Sequence, residues 1–244
     1  MHPSPMLLLD LTLPTAAENV ALDEALLDAA EAGEIDDEIL RLWEAPAPLV
    51  VVGRSSRVTA EVNLDACRVA HVPVLRRSSG GAAIVAGPGC LMYAVVLRYA
   101  GREHLRLLDE AHRHVLSALA AALSTLVANV QPLGTSDLAL GWRKFSGNSV
   151  RCKRDHLVYH GTLLYDFDLT VVERLLLMPP REPEYRRGRQ HGEFLTNLGI
   201  PAQVLRSVLA RGFAAHKPLV DWPRERTAGL VRERYACDAW NLER

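Results

Sequence analysis

The chain has 244 residues, 49% of them hydrophobic and 23% charged, with a formal net charge of −1. This is the make-up of an ordinary globular protein, with room for one large or two small domains. The near-zero charge excludes a general pull toward nucleic acid or anionic membrane, and no apolar run is long enough to span a bilayer.

Met6-Leu7-Leu8-Leu9 is closed by Asp10 and is too short for a signal-peptide core. Thr15-Ala16-Ala17-Glu18 reads as a capping box that opens a helix to about Ala32, with Gly33 ending it. Ile39 to Trp43 alternates like a strand, and Leu49 to Gly53 is a β-branched buried strand. Asn63 to Ala70 predicts a short helix and Val72 to Leu75 a strand. Between that strand and the next lies Arg76-Arg77-Ser78-Ser79-Gly80-Gly81-Ala82-Ala83. Glycines allow close backbone approach, consecutive N–H groups can form an anion nest, and arginine adds charge-assisted bonds. The stretch is therefore either a ligand loop or a tight hairpin with surface arginines.

Leu91 to Leu97 predicts a further strand, and His104 to about Val127 is the longest helical pattern. His104, His112 and His114 have no metal-ligand spacing there and read as solvated. Asp137 to Gly141 alternates like a strand, and a hairpin turn is expected near Lys153-Arg154-Asp155. Leu157 to Tyr165 returns as a strand, with His160, Thr162 and Leu164 on one face and Tyr159, Gly161 and Leu163 on the other. Thr170 to Glu173 reads as a second capping box, Arg181 to Arg189 as an ordered loop over the surface with solvated charges, and Pro201 to Ala215 and Pro223 to Tyr235 as helices. Strands and helices mix without strict βαβ alternation, so the fold class is α+β with a largely antiparallel sheet. Cys67, Cys90, Cys152 and Cys237 are widely spaced, which argues against disulfide or zinc frameworks and places the chain in a reducing cytoplasm.

Trp142-Arg143-Lys144-Phe145-Ser146-Gly147-Asn148-Ser149 stands out. Only three lysines, Lys144, Lys153 and Lys217, occur among 28 cationic side chains. A lysine kept against an arginine bias marks either a chance solvated position or one that needs a compact point charge rather than a planar fork.

Three blocks, Arg76-Arg77-x-Ser79-Gly80-Gly81, Lys144-Phe145-Ser146-Gly147 and His160-Gly161-Thr162-Leu163-Leu164, resemble in order and spacing the lipoate–protein ligase family. That family shares its fold with biotin–protein ligases and octanoyl transferases. Asn19-x-Ala21-x-Asp23-Glu24, Val51-Val52-Gly53-Arg54 and Ser136-Asp137-Leu138 extend the resemblance, which runs from about residue 16 to residue 177. It implies ATP-dependent activation of lipoate or octanoate to an acyl-AMP, then transfer to a lysine of a lipoyl-domain protein. The acceptor would be a 2-oxoacid dehydrogenase E2 or a glycine cleavage H protein, with a small accessory subunit as a further partner. By the same resemblance Lys144 is the catalytic residue. Arg76, Arg77, Ser79, Gly80, Gly81, Ala82, Asp137, Gly147, Ser149, His160, Gly161 and Thr162 surround the acyl-adenylate, and Asp137 is a candidate for Mg²⁺.

The chain departs from the pattern at Ala82, where a third glycine is usual, and at Val85-Ala86-Gly87, where a His-Asp pair is frequent. Gly199 to Arg244 is too short for the separate accessory domain of the longest ligases, so a single domain over residues 1–244 is expected. An octanoyl or lipoyl transferase working through a cysteine thioester is the alternative. Cys90 and Cys152 are its nearest candidates, although a buried inert thiol is the plainer reading of each. A non-catalytic acyl-binding module is a third class; the phosphate-facing set around Lys144 argues against it.

Overall fold

The structure is a computed structural model and describes residues 6–243. In chain order, strand β1 (Met6–Asp10) leads into helix α1 (Ala16–Glu31), followed by β2 (Ile39–Glu44) and β3 (Leu49–Val52). Two short helices, α2 (Val58–Glu61) and α3 (Leu64–Val69), precede β4 (Val74–Arg76), β5 (Ile84–Ala86) and β6 (Cys90–Arg98). Helix α4 (Leu108–Leu123) is followed by β7 (Val130–Leu133), β8 (Asp137–Leu140), β9 (Arg143–Cys152) and β10 (His156–Leu164). The chain closes with α5 (Leu169–Leu175), α6 (His191–Phe194), α7 (Ala202–Gly212), β11 (Ala215–Pro218), α8 (Arg224–Leu230), a π turn at Val231–Tyr235 and α9 (Asp238–Asn241).

Eight strands form one sheet in the order β11-β1-β2-β6-β10-β9-β8-β7. From β2 to β7 every pairing is antiparallel, whereas β1 pairs parallel with β2 and β11. This is the expected mostly antiparallel α+β architecture. Both faces are covered. Ile39, Trp43, Met92, Ala94, Val158 and Leu164 share one core with α1 and the small sheet β4-β3-β5. Leu40, Leu42, Tyr93, Val95, Tyr159 and Leu163 share the other with α4 and α7. The period-2 assignment of β10 is thus borne out. Among the described residues no helix is long and apolar enough to cross a membrane.

The Thr15–Glu18 capping box is present, and Gly33 terminates α1 at φ +72°. Several local expectations are corrected. The pattern from His104 to Val127 breaks because Leu107 is extended, leaving a 3₁₀ turn at Glu103–Arg106 ahead of α4. His112 is half-buried and lies 2.9 Å from the Tyr159 hydroxyl, so it is not simply solvated. Helix α5 is capped by Asp168, which accepts from the Thr170 N–H; Glu173 accepts instead from the Gly192 N–H, so no second capping box forms. The helix begun at Pro201 stops at Gly212, and Ala215 opens β11 instead. Finally, β4 and β5 flank β3 and do not pair with each other. Residues 77–83 therefore cross the end of β3 as a loop, and the hairpin reading fails.

Candidate active site

A cavity of about 360 Å³ lies between α1, the small sheet and the face of the large sheet that carries His160 and Thr162. The strand register sets out which of these residues adjoin. Trp43, Met92 and Thr162 form one cross-strand row, and His160 and Ser149 share the next with the buried Arg41 and Ala94. Val20, Trp43, Val51 and Met92 make part of the wall apolar. A second cavity of about 130 Å³ is lined by Glu61, Phe194, Leu195 and Leu176 among others. Ala82, Ala83, Ile84, Lys144, Gly147 and Thr162 line both, so Lys144 stands at their junction.

The position of Lys144 follows from a β-bulge. Leu138 pairs with Ser146 but Ala139 with Lys144, which leaves Phe145 as an extra residue on β9. Phe145 is buried in the opposite core, and Lys144 and Gly147, three residues apart, reach the same cavity. Gly147 leaves room for that lysine: a Cβ would stand 2.8 Å from the Lys144 Nζ and would push the end of the side chain aside. The ammonium pairs with Asp137 Oδ1 at 2.8 Å, and Asp137 Oδ2 accepts from the Tyr185 hydroxyl at 2.8 Å. That bond ties the segment around Tyr185 to the site. The segment is an ordered loop over the surface, but its charges are not all solvated: Arg186 is buried, and Arg181 and Pro183 line both cavities.

His160 is held at both ring nitrogens. Nδ1 lies 2.9 Å from Asp23 Oδ2, and Nε2 lies 2.6 Å from the Ser79 hydroxyl. Asp23 is also paired with Arg41, a fully buried guanidinium, at 2.5 Å. Burial would raise the Asp23 pKa, but Arg41 and His160 outweigh it and hold the carboxyl below its usual range. An ionised Asp23 takes the Nδ1–H, and in the neutral ring Nε2 then accepts from the Ser79 O–H. The relay Arg41–Asp23–His160–Ser79 fastens the glycine-rich loop to α1 and β10.

Of the residues expected around the site, Lys144, Arg77, Gly81, Ala82, Asp137, Gly147, Ser149, His160, Gly161 and Thr162 line the larger cavity. Arg76, Ser79 and Gly80 line neither cavity. The Arg76 guanidinium is buried and donates to the carbonyls of Gly53, Ser56 and Trp240. Arg77 reaches the cavity, yet it donates to the carbonyls of Val51, Gly80 and Ala82, so the loop curls around it. Burial lowers its pKa to about 10. Ser79 faces His160, and the Gly80 carbonyl accepts from Arg77 and from the Ser149 hydroxyl. Both arginines build the loop, and Lys144 is left as the more available charge.

Sequence reasoning missed Asp23, Trp43, Met92, Asn148 and Arg181 as lining residues. Asp23 belongs to a block already set apart by the family resemblance and Asn148 to the lysine stretch; Trp43, Met92 and Arg181 carried no local signal. Among the thiols, Cys67 and Cys90 are buried, and burial pushes Cys90 up to about 12. None of the four cysteines lines either cavity.

Residues 15–201 match the sequence pattern of the lipoyl protein ligase A/B catalytic domain. The chain belongs to that family. Its members include a probable lipoate-protein ligase A of Mycoplasma pneumoniae, 31% identical over 190 residues that cover 75% of this chain and 54% of that protein. The octanoyltransferase LipM of Symbiobacterium thermophilum is 29% identical over 275 residues, covering 97% of this chain and 98% of that one. The chain spans about half the length of the probable lipoate ligases it matches, with 54%, 45% and 57% of their lengths covered. The fold matches a bipartite archaeal lipoate protein ligase from Thermoplasma acidophilum with a TM-score of 0.83 at 21% identity, over 99% of this chain and 97% of that one.

Proposed function

We propose that this family member is a lipoate–protein ligase. It joins lipoate or octanoate to ATP, giving acyl-AMP and pyrophosphate, and passes the acyl group to a lysine of a lipoyl-domain protein. The observation that carries this reading is Lys144 at the junction of an apolar-walled cavity and a second one. The acyl chain would lie along Val20, Trp43, Val51 and Met92, and the nucleotide would enter past Lys144 toward Glu61 and Ile84. Structures of the same fold carry bound lipoic acid and bound ATP, which supports two ligand sites.

The chemistry follows from charge. In the first step a carboxylate oxygen attacks the α-phosphorus and the bond to pyrophosphate breaks. In the second the acceptor amine attacks the acyl carbonyl, AMP leaves and the amine loses a proton. Both transition states place negative charge on oxygens beside one fixed cation. Without ligand, Lys144 is neutralised by Asp137; with ligand it exchanges that carboxylate for the acyl carbonyl and the phosphate. Backbone N–H groups of the glycine-rich loop add fixed donors. Mg²⁺ arriving with the nucleotide would neutralise phosphate charge, and Asp137 would be the carboxylate to share it. The acceptor would be an E2 or H protein, with a small accessory subunit completing the second step and the reaction taking place in the cytoplasm. One solved relative of this fold is described together with its E2 lipoyl domain, which supports that class of acceptor.

Lipoate-dependent exchange between ATP and pyrophosphate tests the reading. Absence of exchange, together with octanoyl transfer from acyl carrier protein, would overturn it. One observation favours that transferase reading: the match to LipM spans 98% of its length. Replacing Cys90 and Cys152 with alanine separates the two, since a ligase keeps its activity and a cysteine-dependent transferase loses it.

A further inference from the structure

The strongest unassigned construction in the molecule lies behind the site, in a segment beyond residues 15–201 of the family match. β4 is an edge strand of the small sheet. The Arg77 N–H donates to the Val52 carbonyl, so in this parallel ladder the N–H and C=O of Arg76 point away from β3. An edge strand normally leaves such groups to water. Here α9 takes them. The Arg76 N–H donates to Asn241 Oδ1 at 3.0 Å, and the Arg76 carbonyl accepts from the Trp240 indole N–H at 2.8 Å. Two side chains thus stand in for a neighbouring strand at one residue, the last before the glycine-rich loop.

The same segment also holds the Arg76 side chain, whose Nε donates to the Trp240 carbonyl at 2.9 Å. From there Nη1 reaches the carbonyls of Gly53 and Ser56. That turn grips the loop in its turn: the Arg54 N–H donates to the Ser79 carbonyl and the Ser56 hydroxyl to the Gly81 carbonyl. The segment is itself fastened to α1. Asn241 Nδ2 donates to the Tyr235 carbonyl, the Tyr235 hydroxyl donates to Glu24 at 2.6 Å, and Arg234 pairs with Glu24 while lying over the Trp240 ring. Asn241 is 4% exposed. A solvated tail would not bury a carboxamide with both ends bonded.

We propose that the segment from Val231 to Asn241 positions the glycine-rich loop, with Trp240 and Asn241 as positioning residues that act through Arg76. The inference rests on the nucleotide-cradling role proposed above for that loop. Its purpose is register: the loop's N–H groups serve an anion only if their first residue is fixed.

The test uses the full chain with Trp240→Phe, which removes the indole N–H but keeps a ring against Tyr235, and the double variant Trp240→Phe/Asn241→Ala. Amide hydrogen exchange over residues 77–84 is expected to accelerate about tenfold in the double variant, the loss of one or two buried hydrogen bonds. Protection in β6 and β10 should stay unchanged. In the exchange assay the KM for ATP is expected to rise five- to tenfold with kcat within about twofold. Unchanged loop exchange in a folded variant would sink the proposal, as would acceleration spread evenly over the whole sheet, which a merely structural role predicts. Trp240→Phe alone decides the matter if the double variant does not fold. Should the wild-type protein show no ATP-dependent activity, the proposed function fails, and loop exchange alone still judges the clasp.

Discussion

At Lys144 one side chain lines two cavities, and the chemistry proposed for it depends on shape as well as charge. Its ammonium sits in a space set by Gly147 and Asp137. An arginine keeps the charge but brings a wide planar fork into a place that holds a single nitrogen. Lys144→Arg is therefore expected to cut kcat by about a hundredfold or more, the range for losing one donor to a developing oxyanion, while the melting temperature stays near wild type. Near-normal turnover would remove Lys144 from the mechanism. Gly161 poses a steric test of the neighbouring strand. A Cβ there would stand 1.9 Å from Asn148 Oδ1 and 2.8 Å from the Gly147 carbonyl. Gly161→Ala is expected to cost about 1–3 kcal/mol of stability through overpacking, read as a lower midpoint in denaturant, and to displace Asn148 from the cavity wall.

Among the elements, the loop after β4 is the part most changed by seeing it in space. As a string of residues it offers two arginines, two hydroxyls and two glycines to an anion. In three dimensions both arginines face inward: Arg77 holds the loop's own carbonyls at Gly80 and Ala82, and Arg76 those of Gly53, Ser56 and Trp240. The turn after β3 is packed against it so closely that a Cβ at Gly53 would lie 1.9 Å from the Gly81 carbonyl. Gly53→Ala should push the loop out of place. We expect a marked rise in the KM for ATP with a smaller change in melting temperature; an unchanged KM in the folded variant would show that the turn does not set the loop. On β9 a single bulge decides which residues share a face with Lys144. Strict alternation from Lys144 would have turned Gly147 away.

For the whole molecule, the large sheet is buried on both faces, and this decides how its charges behave. Arg41 stands in an alternating strand where a polar residue suggests solvent, yet it is wholly buried and depends on Asp23. The Asp23 carboxyl is held below its ordinary value of 3.8. Its stabilising charge is therefore present above about pH 4 and is lost as the pH falls through the lower folded value. Asp23→Asn leaves Arg41 unpaired and is expected to cost about 3–5 kcal/mol at pH 7. The gap between wild type and variant in denaturant midpoints should shrink below pH 4. A gap independent of pH would mean that Asp23 does not carry that charge in the folded state.

Much was legible from the chain alone, because it depended on local pattern. The capping box at Thr15, the alternation of β10 and the order of three motif blocks are readable without any long-range contact, and they were enough to place Lys144, His160 and part of the cavity wall. What only the tertiary structure decided were relations between distant segments. Arg76 and Arg77 became scaffold because buried guanidiniums satisfy themselves on nearby carbonyls, including one supplied by Trp240, 164 positions away. Ser79 became a partner of His160, and Tyr185 a tether on Asp137, because sheet order brought their strands and loops together. Sequence spacing reports which residue types are present. Which of their polar atoms remain free for a ligand is settled only after every buried donor has found its acceptor.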